Sequence, residues 1–291
     1  MSHLARLPQS HVSARERSAE PMDEPPAPTT ATAWQDAGIA AAYAAAPHTL
    51  ERTVGYPAVF ASLLVDRPGP ATLLDYGCGP GEAARAAAHV FKTRVCAVDT
   101  SPAMLELARA RPDPRIDYLQ SHDGSLPFLP DASMDAAMCC FVFICVPSRD
   151  ELDFICAEIH RVLRPGGRFA VLGSDPASIG QAGYDGWHTE PGPYLDGAPV
   201  HSRLRGPDGA WQDITDTFWS TATHRDVLAD AGFRRVRTRI LTSHGPHPAT
   251  GGLLLVTGDK RSSPHRPLPM DLGGAVSDSE SRRSWDGMRR A

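Results

Sequence analysis

The 291-residue chain predicts an α/β fold, a doubly wound, mostly parallel sheet with helices on both faces and a cap insertion between the fifth strand and the helix after it. Three observations predict it. Short apolar runs alternate with helical runs from Ala71 to Ser174, the rhythm of right-handed crossovers between parallel strands. A turn bearing Gly77, Gly79 and Gly81 lies between the first apolar run and its helix, where such sheets receive ligands. After Ser174 the rhythm breaks for roughly 45 residues dense in Gly, Pro and aromatics, a length that compact domains seldom leave unstructured.

Taken in order, the Ala-rich run Thr32 to Ala46 spaces Trp34, Ile39 and Tyr43 along one helical face and stops at Pro47. A second helix covers Tyr56 to Val65, with Pro57 in its first turn. "ATLLDYG" is a strand and "GEAARAAAHVF" a helix. "TRVCAVD" is the second strand, and "SPAMLELARAR" a helix capped by Ser101 with Pro102 at its first position. "RIDYLQS" is the third strand. "MDAAMCCFVF" is apolar enough for a central strand buried on both faces. "SRDELDFICAEIHRVL" is an amphipathic helix ended by "RPGG", and "RFAVLGS" is the fifth strand. Within the insertion, "PVHSRLRG" and "AWQDITDTFW" flank "GPDG" as a hairpin. "TATHRDVLADAGF" resumes a helix, and "RRVRTRIL" with "GGLLLVTG" forms an antiparallel pair at one edge of the sheet.

The organisation expected is a disordered leader at 1–31, one domain at 32–258 with its cap at 175–218, and a disordered tail at 259–291. A formal charge of -5 lacks the basic footprint of a nucleic-acid binder. No apolar run reaches the roughly 20 residues of a membrane span. The 6 cysteines form no C-x-x-C pair and sit mainly in apolar runs, as reduced thiols of a cytoplasmic protein do. "HGPH" at His244 to His247 has no acidic or thiol partners near it in sequence and reads as a turn, not a metal site. The oligomeric state is left open.

The glycine turn needs a ligand that approaches the main chain closely. A dinucleotide fingerprint would require glycine at position 82, which is Glu82, and no phosphate-binding G-x-x-x-x-G-K-[ST] loop is present. "LLDYGCGPG", "AVDTSPAML", "HDGSLPFLPDASMDAAMCC" and "RVLRPGGRFAVLG", in this sequence order, resemble the class I S-adenosylmethionine-dependent methyltransferases. The resemblance spans Trp34 to Gly258. It implies a seven-stranded, Rossmann-like sheet whose last strand is antiparallel, with S-adenosylmethionine across the carboxyl ends of the first four strands and S-adenosylhomocysteine as product.

The resemblance also assigns residues. Gly77, Cys78, Gly79 and Gly81 lie against the methionine part of the cofactor, their N–H groups toward its carboxylate, with Asp75 serving the ammonium. Asp99, followed by Thr100, receives the ribose hydroxyls. Asp123, with the backbone of Gly124 and Ser125, reads the adenine edge. Met104 packs on the adenine face, Cys140 and Phe141 stand beside the sulfonium, and Tyr43 closes over the cofactor. Ordinary structural duties compete with these roles: Asp99 as a helix cap, Asp123 as a turn residue, Tyr43 and Met104 as core, Cys139 and Cys140 as strand packing.

Methyl transfer from a sulfonium needs orientation and exclusion of water more than a protein nucleophile. A base helps when the acceptor carries a proton. Asp175, His188, His201 and His224 are the candidates for it, His188 favoured because "YDGWH" joins a titratable ring to aromatics. Tyr184, Trp187, Tyr194, Trp211 and Trp219 suit a lid over a planar or apolar acceptor, or equally the small core of the hairpin. The expected activity is methylation of an oxygen or nitrogen of a small organic molecule in specialised metabolism. The rivals are a peptide or protein N-methyltransferase, a non-catalytic cofactor-binding regulator and, more remotely, a nicotinamide oxidoreductase.

Overall fold

A computed structural model describes residues 34–180, 186–206, 208–242 and 251–262. The expected leader, most of the tail, Tyr184 and the "HGPH" stretch lie outside the described residues. Helix α1 (Ala37–Ala45) begins at Asp36, whose side chain accepts from the N–H groups of Gly38 and Ile39. A π-helical turn (Glu51–Gly55) runs into α2 (Tyr56–Leu64), with Pro57 where its missing N–H costs nothing. Then follow β1 (Thr72–Tyr76), α3 (Glu82–Phe91), β2 (Arg94–Asp99), α4 (Pro102–Arg109), β3 (Ile116–Gln120) and β4 (Met134–Cys140). A 3-10 turn (Phe143–Cys145), α5 (Arg149–Val162) and β5 (Leu163–Ser174) complete the alternating part. Ser101 and Ser148 cap α4 and α5 by accepting from Met104 N–H and Glu151 N–H.

The cap is a separate three-stranded antiparallel sheet, β6 (Trp187–Thr189), β7 (Pro199–Arg205) and β8 (Trp211–Thr217). Helix α6 (Thr221–Asp230) returns the chain to the main sheet as β9 (Arg234–Leu241) and β10 (Leu253–Asp259). The main sheet has seven strands in the order β3-β2-β1-β4-β5-β10-β9, and β10 is antiparallel to both its neighbours. All five residues of β1 are buried, as a strand covered on both faces requires. Leu74, Val98, Cys139 and Val171 pack against α5 and α6 on one face. Leu73, Val95, Ala97 and Met138 pack against α2 and α3 on the other. Strand order reverses between β1 and β4, which opens a crevice at their carboxyl ends.

Four local expectations are corrected. "RPGG" does not end α5: the helix stops at Val162, Leu163 already pairs with Met134, and the register shifts before Ala136 meets Arg168. Gly166, at φ 84°, forms the irregularity and donates its N–H to Lys260 O. Strand β4 ends at Cys140, not Phe143, because Phe141 takes φ 60° and turns the chain. The cap gains a third strand, β6, beyond the expected hairpin. Strand β10 runs past 258: Asp259 is buried, and Lys260 N–H bonds Gly167 O at 2.8 Å.

Candidate functional site

The crevice is floored by the turn after β1. Gly77, Gly79 and Gly81 have φ of 70°, 51° and 78°. A Cβ on Gly77 would lie 2.2 Å from Val142 Cγ2, and one on Gly81 would lie 2.5 Å from the Tyr118 hydroxyl. Gly77 and Cys78 both donate N–H to Val98 O, at 2.7 and 2.9 Å, Gly79 donates to Asp99 Oδ2 at 2.7 Å, and Gly81 donates to Cys78 O at 2.9 Å. The amides expected to meet a ligand carboxylate are thus bonded within the protein. The turn offers space and the N-terminal end of α3, which carries no side-chain cap.

Two acids line the turn. Asp75 is 1% exposed, takes a hydrogen bond from the Ala84 backbone, and leaves Oδ2 without a partner. Burial, and then the neighbouring Asp99, pushes its carboxyl up to about 7. A buried, unsatisfied acceptor is costly, and a ligand bringing a cation or N–H would satisfy it. Asp99 ends β2 with Oδ1 accepting from Ser101 N–H at 2.8 Å and Oδ2 from Gly79. Burial raises its pKa, while the amides of Ser101, Gly79 and Thr100 pull the other way. Each oxygen of such a carboxylate keeps a lone pair for a ligand hydroxyl. Met104 is buried, and a Cβ added to Gly79 would meet its sulfur at 4.0 Å. Beyond β3, Asp123 is exposed and accepts from Ser125 N–H at 3.0 Å and Ser125 Oγ at 2.5 Å, bonds that hold it below the usual carboxylate range. The Gly124 carbonyl receives the Tyr76 hydroxyl at 2.7 Å.

The far wall is built from β4, α1 and the cap. Phe141 N–H bonds Leu172 O at 2.7 Å, which fixes Cys140 and Phe141 at the sheet edge. Cys145 Sγ receives the indole N–H of Trp34 at 3.0 Å and lies 3.5 Å from Phe141 O. The half-buried Tyr43 ring contacts Trp34 at 5.4 Å, His48 at 4.6 Å and Trp187 at 6.5 Å between centroids. Burial raises its phenol well above the ordinary value, with Glu51, Cys145, Glu82 and Cys140 adding to it. Ala42 of α1 and Ala46 just past its end pack on Leu204 and Ile214 of the cap. On that inner face, Thr189 and Ser202 hydroxyls lie 3.1 Å apart, and Ser202 in turn bonds Asp216.

Asp216 is the residue that sequence reasoning missed. It is 7% exposed, its Oδ1 has no partner, and burial pushes it up to about 7 against the Ser202 bond. Its charge is the largest neighbouring influence on the Cys145 thiol. The signal was the alternation of "WQDITD", which sets Gln212, Ile214 and Asp216 on one face and so leaves polar side chains facing inward.

The structure does not bring His188 to this wall. It pairs with Arg203 on an exposed edge of the cap, and strand alternation sends it opposite to Trp187, which packs toward Tyr43. His201 is likewise exposed. Asp175 accepts from Ala177 N–H at 3.1 Å, at a 3-10 turn. His224 is buried, stacked on Phe143 at 5.3 Å and bonded to Ser220 O, and burial lowers its pKa. Of the lid aromatics, Trp187 alone among the described residues joins the Tyr43 cluster: Trp219 donates to Val146 O at 3.1 Å, Tyr194 stacks on Phe218, and Trp211 is exposed under Arg203. Among the described residues no group of three or more His, Cys, Asp or Glu is gathered to hold a metal. Among them, too, no helix is long and apolar enough to cross a membrane.

The chain is similar to known proteins. A family model described as a methyltransferase domain matches residues 73–167. The chain is 36% identical over 214 residues to N-demethylindolmycin N-methyltransferase of Streptomyces griseus, covering 70% of this chain and 89% of that protein. Human N-acetylserotonin methyltransferase in complex with SAM superposes with TM-score 0.52 at 15% identity, covering 79% of this chain and 58% of that one. The [4+2]-cyclase SpnF gives TM-score 0.51 at 21% identity, covering 72% and 81%. The last two show a common fold.

Proposed function

Because the chain belongs to the class I S-adenosylmethionine-dependent methyltransferases, we propose that it methylates a nitrogen of a small organic acceptor in specialised metabolism. The observation that carries the acceptor is the 36% identity to an N-methyltransferase of that kind, over 89% of its length. For the donor site, the unpartnered Oδ2 of buried Asp75 supports an ammonium beneath the glycine turn. Asp99 is suited to the ribose hydroxyls and Asp123 to the adenine edge, each with its backbone partners already holding the carboxylate in place. The bound donor supplies an electrophilic methyl group on a cationic sulfur. The chain's own residues supply alignment: Cys140 and Phe141 border the reacting space, Tyr43 and Trp34 wall it, and the cap, seated through Leu204 and Ile214 on α1, keeps water out. The free thiols support a cytoplasmic setting.

Incubation of the purified protein with labelled S-adenosylmethionine and a panel of small amines, alcohols and peptides tests the reading. A methylated amine, identified by mass spectrometry, is the expected product. Label entering only peptide, protein or RNA, or no acceptor at all, overturns it.

A further inference from the structure

Three buried side-chain oxygens among the described residues lack a hydrogen-bond partner: Asp75 Oδ2, Gln212 Oε1 and Asp216 Oδ1. The first lies under the glycine turn and belongs to the donor site. Gln212 lies beside Gly206 at the far end of the hairpin, about 13 Å along the strand from Asp216 at the usual rise per residue. Asp216 is different. Its strand packs on the Phe143–Cys145 turn, and its charge adds to burial in raising the Cys145 thiol, whose sulfur holds Trp34 and whose neighbours include Tyr43.

The Ser202 hydroxyl sits between Asp216, whose carboxyl it helps to hold down, and the Thr189 hydroxyl 3.1 Å away. The three side chains lie side by side on one face across the three strands of the cap. Asp216 Oδ1 is buried and has no hydrogen-bond partner among the described residues. In its ionised form the carboxylate only accepts hydrogen bonds, so the partner that would satisfy it in that form is a donor. Nothing among the described residues supplies it, and native proteins seldom leave such a group orphaned without a functional reason.

We propose that Asp216 is the acceptor-binding residue of the cap, its Oδ1 holding an N–H of the nitrogen compound to be methylated. This rests on the reading of the chain as a small-molecule N-methyltransferase and names the group that selects the acceptor. The ligand class follows from the walls: a donor-bearing amine for Asp216, joined to an aromatic or apolar body that lies against Trp34, Tyr43 and Trp187. An acceptor presenting a carboxylate at the same place would meet a like charge.

The test uses the full chain loaded with S-adenosylhomocysteine, with phenethylamine as the amine probe and 3-phenylpropionate as its acidic counterpart, titrated by calorimetry. Wild type is expected to bind the amine at least tenfold more tightly than the acid. In Asp216→Asn the amine affinity falls at least tenfold, while the affinity for S-adenosylhomocysteine is unchanged, which shows that the variant is folded. Equal amine binding by wild type and variant overturns the proposal, as does a wild-type preference for the acid or no amine binding at all. The wild-type comparison decides the matter even if the variant does not fold. Failure of every amine in the methylation panel, with probe binding still dependent on Asp216, would sink the proposed reaction and leave this donor seat standing.

Discussion

Gly79 donates its backbone N–H to Asp99 Oδ2 at 2.7 Å, so the turn after β1 and the acid at the end of β2 form one unit. A ligand hydroxyl bound to Asp99 is thereby bound to a carboxylate that cannot swing away. Substituting Asp99→Ala removes two charge-assisted acceptors, each worth about 1.5–3 kcal/mol, and releases the turn as well. The expected loss in S-adenosylhomocysteine affinity is about 100-fold or more by calorimetry. Asp99→Asn, which can still accept from one of the two amides, should fall between. An Asp99→Ala protein that binds within about threefold of wild type would remove Asp99 from the donor site.

Gly77 faces Val142 across the crevice. Its alanine variant suffers twice, from a Cβ 2.2 Å from Val142 Cγ2 and from φ 70°. The second cost survives any trimming of the neighbour. We expect Gly77→Ala to lower Tm by several degrees, and Gly77→Ala with Val142→Ala to recover part of it, because strain of about 1–2 kcal/mol per non-glycine residue in that region persists. Full recovery in the double variant would mean that the clash is the whole effect.

Asp75 makes stability depend on pH in an unusual direction. Its folded pKa lies near 7, against an unfolded value near 4. Between these values the folded chain holds a proton that the unfolded chain has lost, so stability falls as pH rises and levels off above about 7. Asp216 is also raised to about 7 and contributes with the same sign. In Asp75→Asn the buried charge is gone, so its Tm relative to wild type should rise by a few degrees at pH 8, for about 1–3 kcal/mol, and not at pH 4. The same variant should bind S-adenosylhomocysteine at least tenfold more weakly, since the ammonium loses its counter-charge. A variant that gains no stability at pH 8 would show that Asp75 is neutral or partnered there.

The parts of this site that could be read in the sequence are those governed by neighbours in the chain. Asp99 stands at a strand end and Ser101 caps the next helix by local geometry alone, and the glycines announce positive φ wherever they fall in such a turn. Asp216 could not be read that way. "AWQDITDTFW" shows which residues share a face, but which face turns inward is decided by docking of the cap on α1, through contacts such as Ala42 and Ala46 with Leu204 and Ile214. His188 failed for the same reason, with Trp187 taking the inward position. "RPGG" has the composition of a helix stop, yet pairing of Leu163 with Met134 and of Gly166 with Lys260 draws it into β5. Long-range pairing overrode local preference there.

Asp259, three residues beyond Val256 at the end of the final hydrophobic stretch, gives the opposite pH response from Asp75. It accepts from Arg168 Nε at 2.7 Å and Arg67 Nη2 at 2.9 Å, and Arg235 Nε lies 3.1 Å away. Burial alone would raise its carboxyl, but the bonds and charge of Arg168, then the charges of Arg67 and Arg235, outweigh it and hold the pKa low. The unfolded chain therefore binds a proton first as pH falls. The stabilisation is complete well above pH 4 and is lost as pH drops through the folded value. Arg168 also donates to Ser62 O and Arg67 to Gly166 O, so the carboxylate fixes two guanidinium groups that tie α2 and the chain after it to β5 and β10. Replacing it as Asp259→Asn leaves the partly buried Arg67 and Arg168 guanidinium groups without a counter-charge, at a cost of about 1.5–3 kcal/mol. Thermal melts from pH 3 to 7 should show the gap between wild type and variant widest near neutrality and closing in acid. Parallel melting curves across that range would place the acid sensitivity elsewhere in the fold.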